Sequence, residues 1–458
     1  MSLSRRTFLG GMVVLPHSIG GFGVPAAAQS GPTQQGAMQI PPMLFVHGNG
    51  DHAALWITTL WRMESNGIAR DRMFALDFTN PQARADDAVA QPDRSSTEDQ
   101  RRELAKAVNE LKRRTGAPRI ALVASSRGGN AVRNFIKAGG GGDVSHAVLC
   151  GTPNHGISDW DDSPGNEFNG RGPFLRGLNA GETEVTPGTA FLTLRSDGYD
   201  KYAQPDGRFL GKPGTPTGIT SEGPALRGAS NLAIGTLDHR EVAFHPRAFR
   251  EIYRFVAGRE PDRIAITPEP RVTLSGLVTA MPGGVPTNRP ITGASVAVYR
   301  VSPESGERLG DALQLMTTAD GGRWGPVQVD PSWYLEMVLT VDGSPITHIY
   351  RSPFPRSSDV VHLRPGRALL PADREAGAVV IMARPRGYFG IPRDIVLLDG
   401  KEPADVKPGV PTDWVTTLRL PHDEAAGRAV TAIFNEERIV ARAWPVSENR
   451  ISIAELTY

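Results

Sequence analysis

Cysteine is almost absent. Cys150 is the only one in 458 residues, so no intramolecular disulfide can form and the fold must be held by core burial. A surplus of either charge is missing too. Lys and Arg number 50 against 49 Asp and Glu, a formal net charge of +1. With no basic excess to neutralise phosphates, nucleic acid is not an expected partner. Long hydrophobic runs are also lacking. Beyond residues 1–28 nothing approaches the roughly 20 apolar residues that a spanning helix needs, so no integral membrane segment is expected in the mature chain. Hydrophobic residues make up 39% and charged residues 22%, which excludes a disordered or collagen-like chain. The length implies two or three domains.

What is present begins with an export pattern. Ser4-Arg5-Arg6-Thr7-Phe8-Leu9 precedes a mildly apolar, Gly-rich stretch and then Ala26-Ala27-Ala28. A charged n-region, an apolar h-region and an Ala-x-Ala site read as a secretory peptide. The paired arginines resemble a twin-arginine (Tat) signal. A periplasmic or secreted location is therefore expected, with residues 29–40 as a linker.

From residue 41 to 260, short apolar runs alternate with amphipathic segments. Strands are expected at 43–46, 73–78, 119–124, 147–150, 190–195 and 231–235. Helices are expected over 97–114, 130–137 and from Pro246 to a stop at Gly258. The first of these reads as opened by a Thr97-x-x-Gln100 capping box. This alternation predicts a mostly parallel sheet covered by helices on both faces. After a linker over 261–270 the helical period vanishes. Alternating apolar and polar residues between Gly, Pro and Asp turns predict all-β sandwich structure over 271–365, and a second β region or domain over 366–458.

The chemistry-bearing string is Ile120-Ala121-Leu122-Val123-Ala124-Ser125-Ser126-Arg127-Gly128-Gly129. A strand enters a tight turn and then a helix. A strained nucleophile turn requires small residues two before and two after the nucleophile. Ser126 has Ala124 and Gly128 there, whereas Ser125 would have Val123 and Arg127, so Ser126 is the candidate nucleophile. An earlier apolar strand ends in His47-Gly48-Asn49-Gly50. Its loop and the residue after the nucleophile would supply an oxyanion hole from the backbone N–H groups of Asn49 and Arg127. His47, Asp51 and His52 lack the spacing of a metal site, so no metal is expected. The candidate base is His239, in the loop between the final strand and the last helix; His245 reads as a capping residue. The candidate acid follows the strand ending at Arg195. Asp200 is favoured and Asp197 is the alternative. Either completes the chain order Ser, Asp, His.

Together His47-Gly48-Asn49-Gly50, Ala124-Ser125-Ser126-Arg127-Gly128 and Cys150-Gly151-Thr152-Pro153-Asn154-His155-Gly156 resemble the bacterial lipase/esterase branch of the α/β-hydrolases. The resemblance covers residues 41–258 and implies a cofactor-free serine hydrolase acting on an ester substrate. The layout, with β domains after the hydrolase sheet, is similar to an archaeal lipase type. Residues 272–365 resemble a carboxypeptidase-regulatory-like sandwich. The segment between Gly156 and Thr189 is short and polar for a lid, with Trp160, Phe168, Phe174 and Leu175 as its few large apolar groups. That points to a small or intermediate ester and leaves lipid open. Two other readings stay open: an extracellular polyester depolymerase, and a secreted binding or adhesion protein with an inactive hydrolase domain. The oligomeric state stays open as well. Because every candidate group precedes Arg240 apart from any contribution to substrate binding, a chain ending near Glu260 is expected to keep some activity on short soluble esters.

Overall fold

The computed structural model describes residues 40–425 and 427–458; the expected export signal lies outside the described residues. Six short apolar runs build a parallel sheet: β1 (Met43–Val46), β2 (Met73–Leu76), β3 (Ile120–Ser125), β4 (Val144–Cys150), β5 (Ala190–Arg195) and β6 (Ser230–Ala233). Their order is β2-β1-β3-β4-β5-β6, and each neighbouring pair is parallel. Four helices flank it: α1 (Ile57–Ser65), α2 (Thr97–Thr115), α3 (Arg127–Lys137) and α4 (Pro246–Ala257). The two-residue period of a strand sends alternate side chains to opposite faces. Leu44, Val46, Leu122 and Ala124 pack with Leu104 and Val108 of α2 and Val132 of α3. Met43, Phe45, Ala121 and Val123 pack with Leu60 of α1 and Phe249 and Ile252 of α4.

The helix ends follow local chemistry. The capping box of α2 sits one residue earlier than the Thr97–Gln100 expectation. Ser96 Oγ accepts from the Asp99 N–H at 3.1 Å, and the Asp99 carboxylate accepts from the Ser96 N–H at 2.9 Å. A carboxylate in the first turn faces the positive helix end, an advantage that Gln100 cannot supply. Helix α3 begins at Arg127, directly after Ser126, and not at residue 130. Helix α4 begins at Pro246 with His245 Nδ1 accepting from the Arg247 N–H, and Gly258 ends it at φ 69°.

The β half contains one long mixed sheet. Its strands are introduced in chain order as β7 (Val272–Leu277), β8 (Ser295–Val301), β9 (Gln314–Thr317), β10 (Arg323–Val329), β11 (Tyr334–Thr340), β12 (Ile346–Arg351), β13 (Ala378–Ala383), β14 (Val396–Leu398), β15 (Val415–Leu420), β16 (Ala429–Phe434), β17 (Glu437–Arg442) and β18 (Arg450–Glu455). The long sheet runs β9-β8-β11-β12-β18-β13-β15. The antiparallel pairing usual in a sandwich built of short turns is broken at β18, which pairs in parallel with both β12 and β13. This strand joins the segments on either side of residue 366 into one sheet. A β7–β10 ladder packs against its first part through Leu274, Trp324, Leu335 and Ile349. The β14-β16-β17 sheet packs against its second part through Val396, Val430, Val380 and Ala454. The run Val360–Leu363 forms no strand, and an isolated bridge joins Leu363 with Val278.

The two halves share a core. One continuous apolar cluster runs from Trp56, Leu60 and Tyr253 to Val272, Leu335 and Phe354. Trp61 of α1 meets Phe354 edge-on at 6.1 Å and donates its indole N–H to the Ser357 carbonyl at 3.0 Å. Arg356 pairs with Glu64 at 2.9 Å. A chain ending near Glu260 would expose these surfaces.

Candidate active site

Strand β3 delivers Ser126 into a strained turn, with φ 52° and ψ −124°. Non-glycine residues seldom adopt positive φ, and such strain persists only where the surroundings enforce it. Here close packing enforces it. A Cβ on Gly128 would lie 2.4 Å from the His47 carbonyl oxygen, and one on Gly48 would lie 2.9 Å from Ser126 Cβ. The Ser126 N–H donates to the Cys150 carbonyl at 2.8 Å. Cys150 is buried, and burial pushes its thiol well up, so it behaves as a core residue.

The loops after β5 and β6 bring two further groups to Ser126. His239 Nε2 lies 3.0 Å from Ser126 Oγ, and His239 Nδ1 lies 2.9 Å from Asp200 Oδ2. Asp200 is fixed by accepting the Tyr202 N–H at 2.8 Å. Asp197 is engaged elsewhere, accepting the Tyr199 and Thr236 N–H groups at 3.1 and 2.8 Å. It braces the loop, and Asp200 meets the imidazole. The Tyr202 ring packs edge-on against His239 at 4.6 Å.

Asn49 lines the cavity beside Ser126. Its side-chain oxygen accepts the Ala83 N–H at 2.7 Å, which holds the loop in place. Arg127 stands at the first position of α3, where a backbone N–H has no partner within the helix. Its side chain points away from the cavity and is fully buried. It makes a two-pronged pair with Glu167 at 2.7 and 2.6 Å, and it also donates to Pro81 and Ser95. Burial pushes the Glu167 carboxyl up, and Arg127 opposes that shift. Glu167 belongs to the segment between Gly156 and Thr189, which is thereby tied directly behind the Ser126 turn. No signal in the sequence marks Glu167.

His47, Asp51 and His52 do not converge as a metal-ligating group. His47 Nδ1 donates to the Gly48 carbonyl at 2.9 Å, and Nε2 accepts the Phe78 N–H at 3.1 Å. His52 caps the turn that follows it. The cavity at Ser126 measures about 130 Å³ and is walled by Ile157, Phe168, Tyr202 and Tyr388. A second space of about 140 Å³ lies beside His239 and Asp200. Tyr388 comes from the β half and was not foreseen.

Residues 41–153 match the family model described as lipase (class 2). That stretch contains β1, the Asn49 loop, β3 and the Ser126 turn, on a parallel sheet flanked by helices. A mostly parallel sheet with helices on both faces is the architecture expected from the sequence. Beyond the hydrolase sheet, residues 270–368 match the model described as lipase C-terminal domain, where the sequence resembled a carboxypeptidase-regulatory-like sandwich. None of the curated proteins matches the chain. Among solved structures, the chain is similar to Aspergillus fumigatus lipase B, with 16% identity and a TM-score of 0.36, over 49% of this chain and 54% of that one. The match thus spans about half of the Aspergillus chain. A mature Bacillus licheniformis lipase gives 18% identity and a TM-score of 0.35, over 50% of this chain and 96% of that one. The Bacillus subtilis naproxen esterase gives 13% and 0.27, over 48% and 84%. No helix among the described residues is long and apolar enough to cross a membrane.

Proposed function

We propose that this chain is an exported serine carboxylic-ester hydrolase of the lipase/esterase type. The observation that carries the reading is the chain of contacts from Ser126 Oγ through His239 to Asp200, at 3.0 and 2.9 Å. Nucleophile, base and orienting acid at hydrogen-bond distance are what acyl transfer requires. The lipase models over 41–153 and 270–368 support ester substrates. The small cavity supports a short or intermediate acyl group. Export rests on Ser4–Leu9 and Ala26–Ala28.

In this mechanism Ser126 Oγ attacks the ester carbonyl carbon while His239 Nε2 takes the hydroxyl proton. Asp200 holds the imidazole with Nδ1–H towards it and stabilises the cation that forms. The carbonyl oxygen, now an anion, is met by the Asn49 and Arg127 N–H groups. Collapse breaks the C–O bond, and His239 passes its proton to the departing alkoxide. Water, deprotonated by His239, then attacks the acyl-enzyme and releases the acid.

The test is covalent labelling with a fluorophosphonate, read by peptide mass spectrometry, alongside nitrophenyl ester turnover. The reading expects the label on Ser126 and a loss of turnover on the order of 10⁶-fold in Ser126→Ala. Absence of both labelling and ester turnover in the folded wild-type protein overturns it.

A further inference from the structure

The loop that carries His239 is held by a segment nearly 150 residues away. The two carboxylates flanking the histidine, Asp238 and Glu241, are both buried. Asp238 Oδ1 accepts the Arg240 and Glu241 N–H groups at 2.8 and 2.9 Å, closing the loop's own turn. Its other oxygen leaves the hydrolase half. It accepts Arg384 Nη1 at 3.0 Å and the Tyr388 N–H at 2.7 Å. Arg384 Nη2 reaches Glu241 at 2.6 Å. Arg393 adds Glu241 at 2.6 Å and the Thr236 carbonyl at 3.0 Å. Three acids and two guanidinium groups thus meet here, since Arg393 also pairs with Asp394 at 2.7 Å, and removing one partner of such a pair leaves a buried charge uncompensated. Gly387 is part of the device. A Cβ there would lie 2.2 Å from Arg384 Nη1, blocking the fold-back of the guanidinium.

The same turn sends Tyr388 into the catalytic cavity. Its ring lies between Lys201 Nζ, 4.0 Å from the ring centre, and the Arg240 guanidinium at 5.3 Å. It lines the space shared by Ser126, Phe168, Tyr202 and His239. The ring thus closes a side of a cavity only about 130 Å³ in volume.

We propose that residues 384–393 of the β half belong to the catalytic centre: Tyr388 is a specificity-determining wall that limits the length of the ester group accepted, and Arg384 is a positioning residue that sets His239 through Asp238. The proposal rests on the ester-hydrolase reading above. Shrinking Tyr388 opens space beside Ser126 and lets longer ester groups enter. Losing Arg384 leaves Asp238 with Arg393, 3.9 Å away, as its remaining cationic partner and loosens the loop that aims His239.

The experiment uses the full-length protein with substitutions Tyr388→Ala, Tyr388→Leu, Arg384→Met and Arg384→Lys. It measures kcat and KM on nitrophenyl esters from acetate to palmitate, with fluorophosphonate titration of Ser126 and thermal unfolding for each variant. Tyr388→Ala is expected to move the preferred chain length upward, with kcat/KM on the longer esters rising by roughly fourfold per methylene newly accommodated. If Tyr388→Ala does not fold, Tyr388→Leu decides the same question. Arg384→Met is expected to lower kcat by about 10²-fold with KM little changed, as misplacement of a catalytic group does, and Arg384→Lys to recover part of the loss. An unmoved chain-length profile in a folded Tyr388 variant overturns the wall. Undiminished kcat in Arg384→Met, or a loss confined to KM, overturns the positioning role. Wild-type protein that neither labels at Ser126 nor turns over esters overturns the hydrolase reading itself, which separates the two failures.

Discussion

The Ser126 turn and the His239 loop are held in opposite ways. The turn is shaped by contact with its immediate neighbours: β3 before it, α3 after it, and a close approach by Gly48 and His47. The His239 loop is shaped by charge from the other half of the chain, through Arg384 and Arg393. Steric enforcement of backbone is local and survives in any chain that keeps the parallel sheet. Enforcement by ion pairs depends on an interface. The comparison teaches that a half carrying Ser126, Asp200 and His239 still relies on the other half to hold one of their loops.

The largest expected effect comes from removing that interface. A chain ending near Glu260 loses Arg384, Arg393 and Tyr388, and uncovers Trp61 and Tyr253. It is expected to be insoluble or to lack cooperative unfolding, with no turnover of nitrophenyl acetate. Circular dichroism and a short-ester assay check this. A folded, active fragment would erase the distinction between the two loops.

The next effect sharpens the comparison at the acid. Asp200→Asn is expected to lower kcat by about 10⁴-fold, since the imidazole loses the partner that selects its tautomer. Asp197→Asn leaves the imidazole contact intact and is expected to cost far less, through a looser Thr236 loop. Parallel kinetics on one ester compare them, and equal losses would return Asp197 to contention.

The smallest effect tests the turn side. Glu167→Gln removes the charge opposite Arg127 and leaves a buried guanidinium uncompensated. Breaking such a pair costs about 3–5 kcal/mol, read by denaturant unfolding. The steric frame of Ser126 remains, so labelling by a fluorophosphonate is expected to persist in whatever fraction stays folded.

How much was legible in the sequence follows the same division. Ser126 could be distinguished from Ser125 because Ala124 and Gly128 are encoded within two residues of it. The parallel strands could be read because both faces are apolar, as in Met43–Val46. The capping box moved by one because Ser96-x-x-Asp99 and Thr97-x-x-Gln100 overlap, and only the first offers a charged acceptor. Strand β12 carries no alternation to reveal it, because Ile346–Arg351 is buried almost throughout. Strand β9 is too short and too exposed at its sheet edge to stand out. Glu167, Arg384 and Tyr388 had no local signature at all. Their partners are chosen by the assembled surface, over separations of 40 to 150 residues.

The bridge between Asp238 and Arg384 spans 146 positions along the chain, and this separation orders events in time. A ribosome adding about 5–20 residues per second needs roughly 7–30 s to cover it. Throughout that interval Ser126 and His239 already exist as polymer, while Arg384 has not been made. A polypeptide of that length holds the Ser126 turn and the His239 loop without the ion pairs that tie the loop down, and contacts so distant along the chain are the slowest to form.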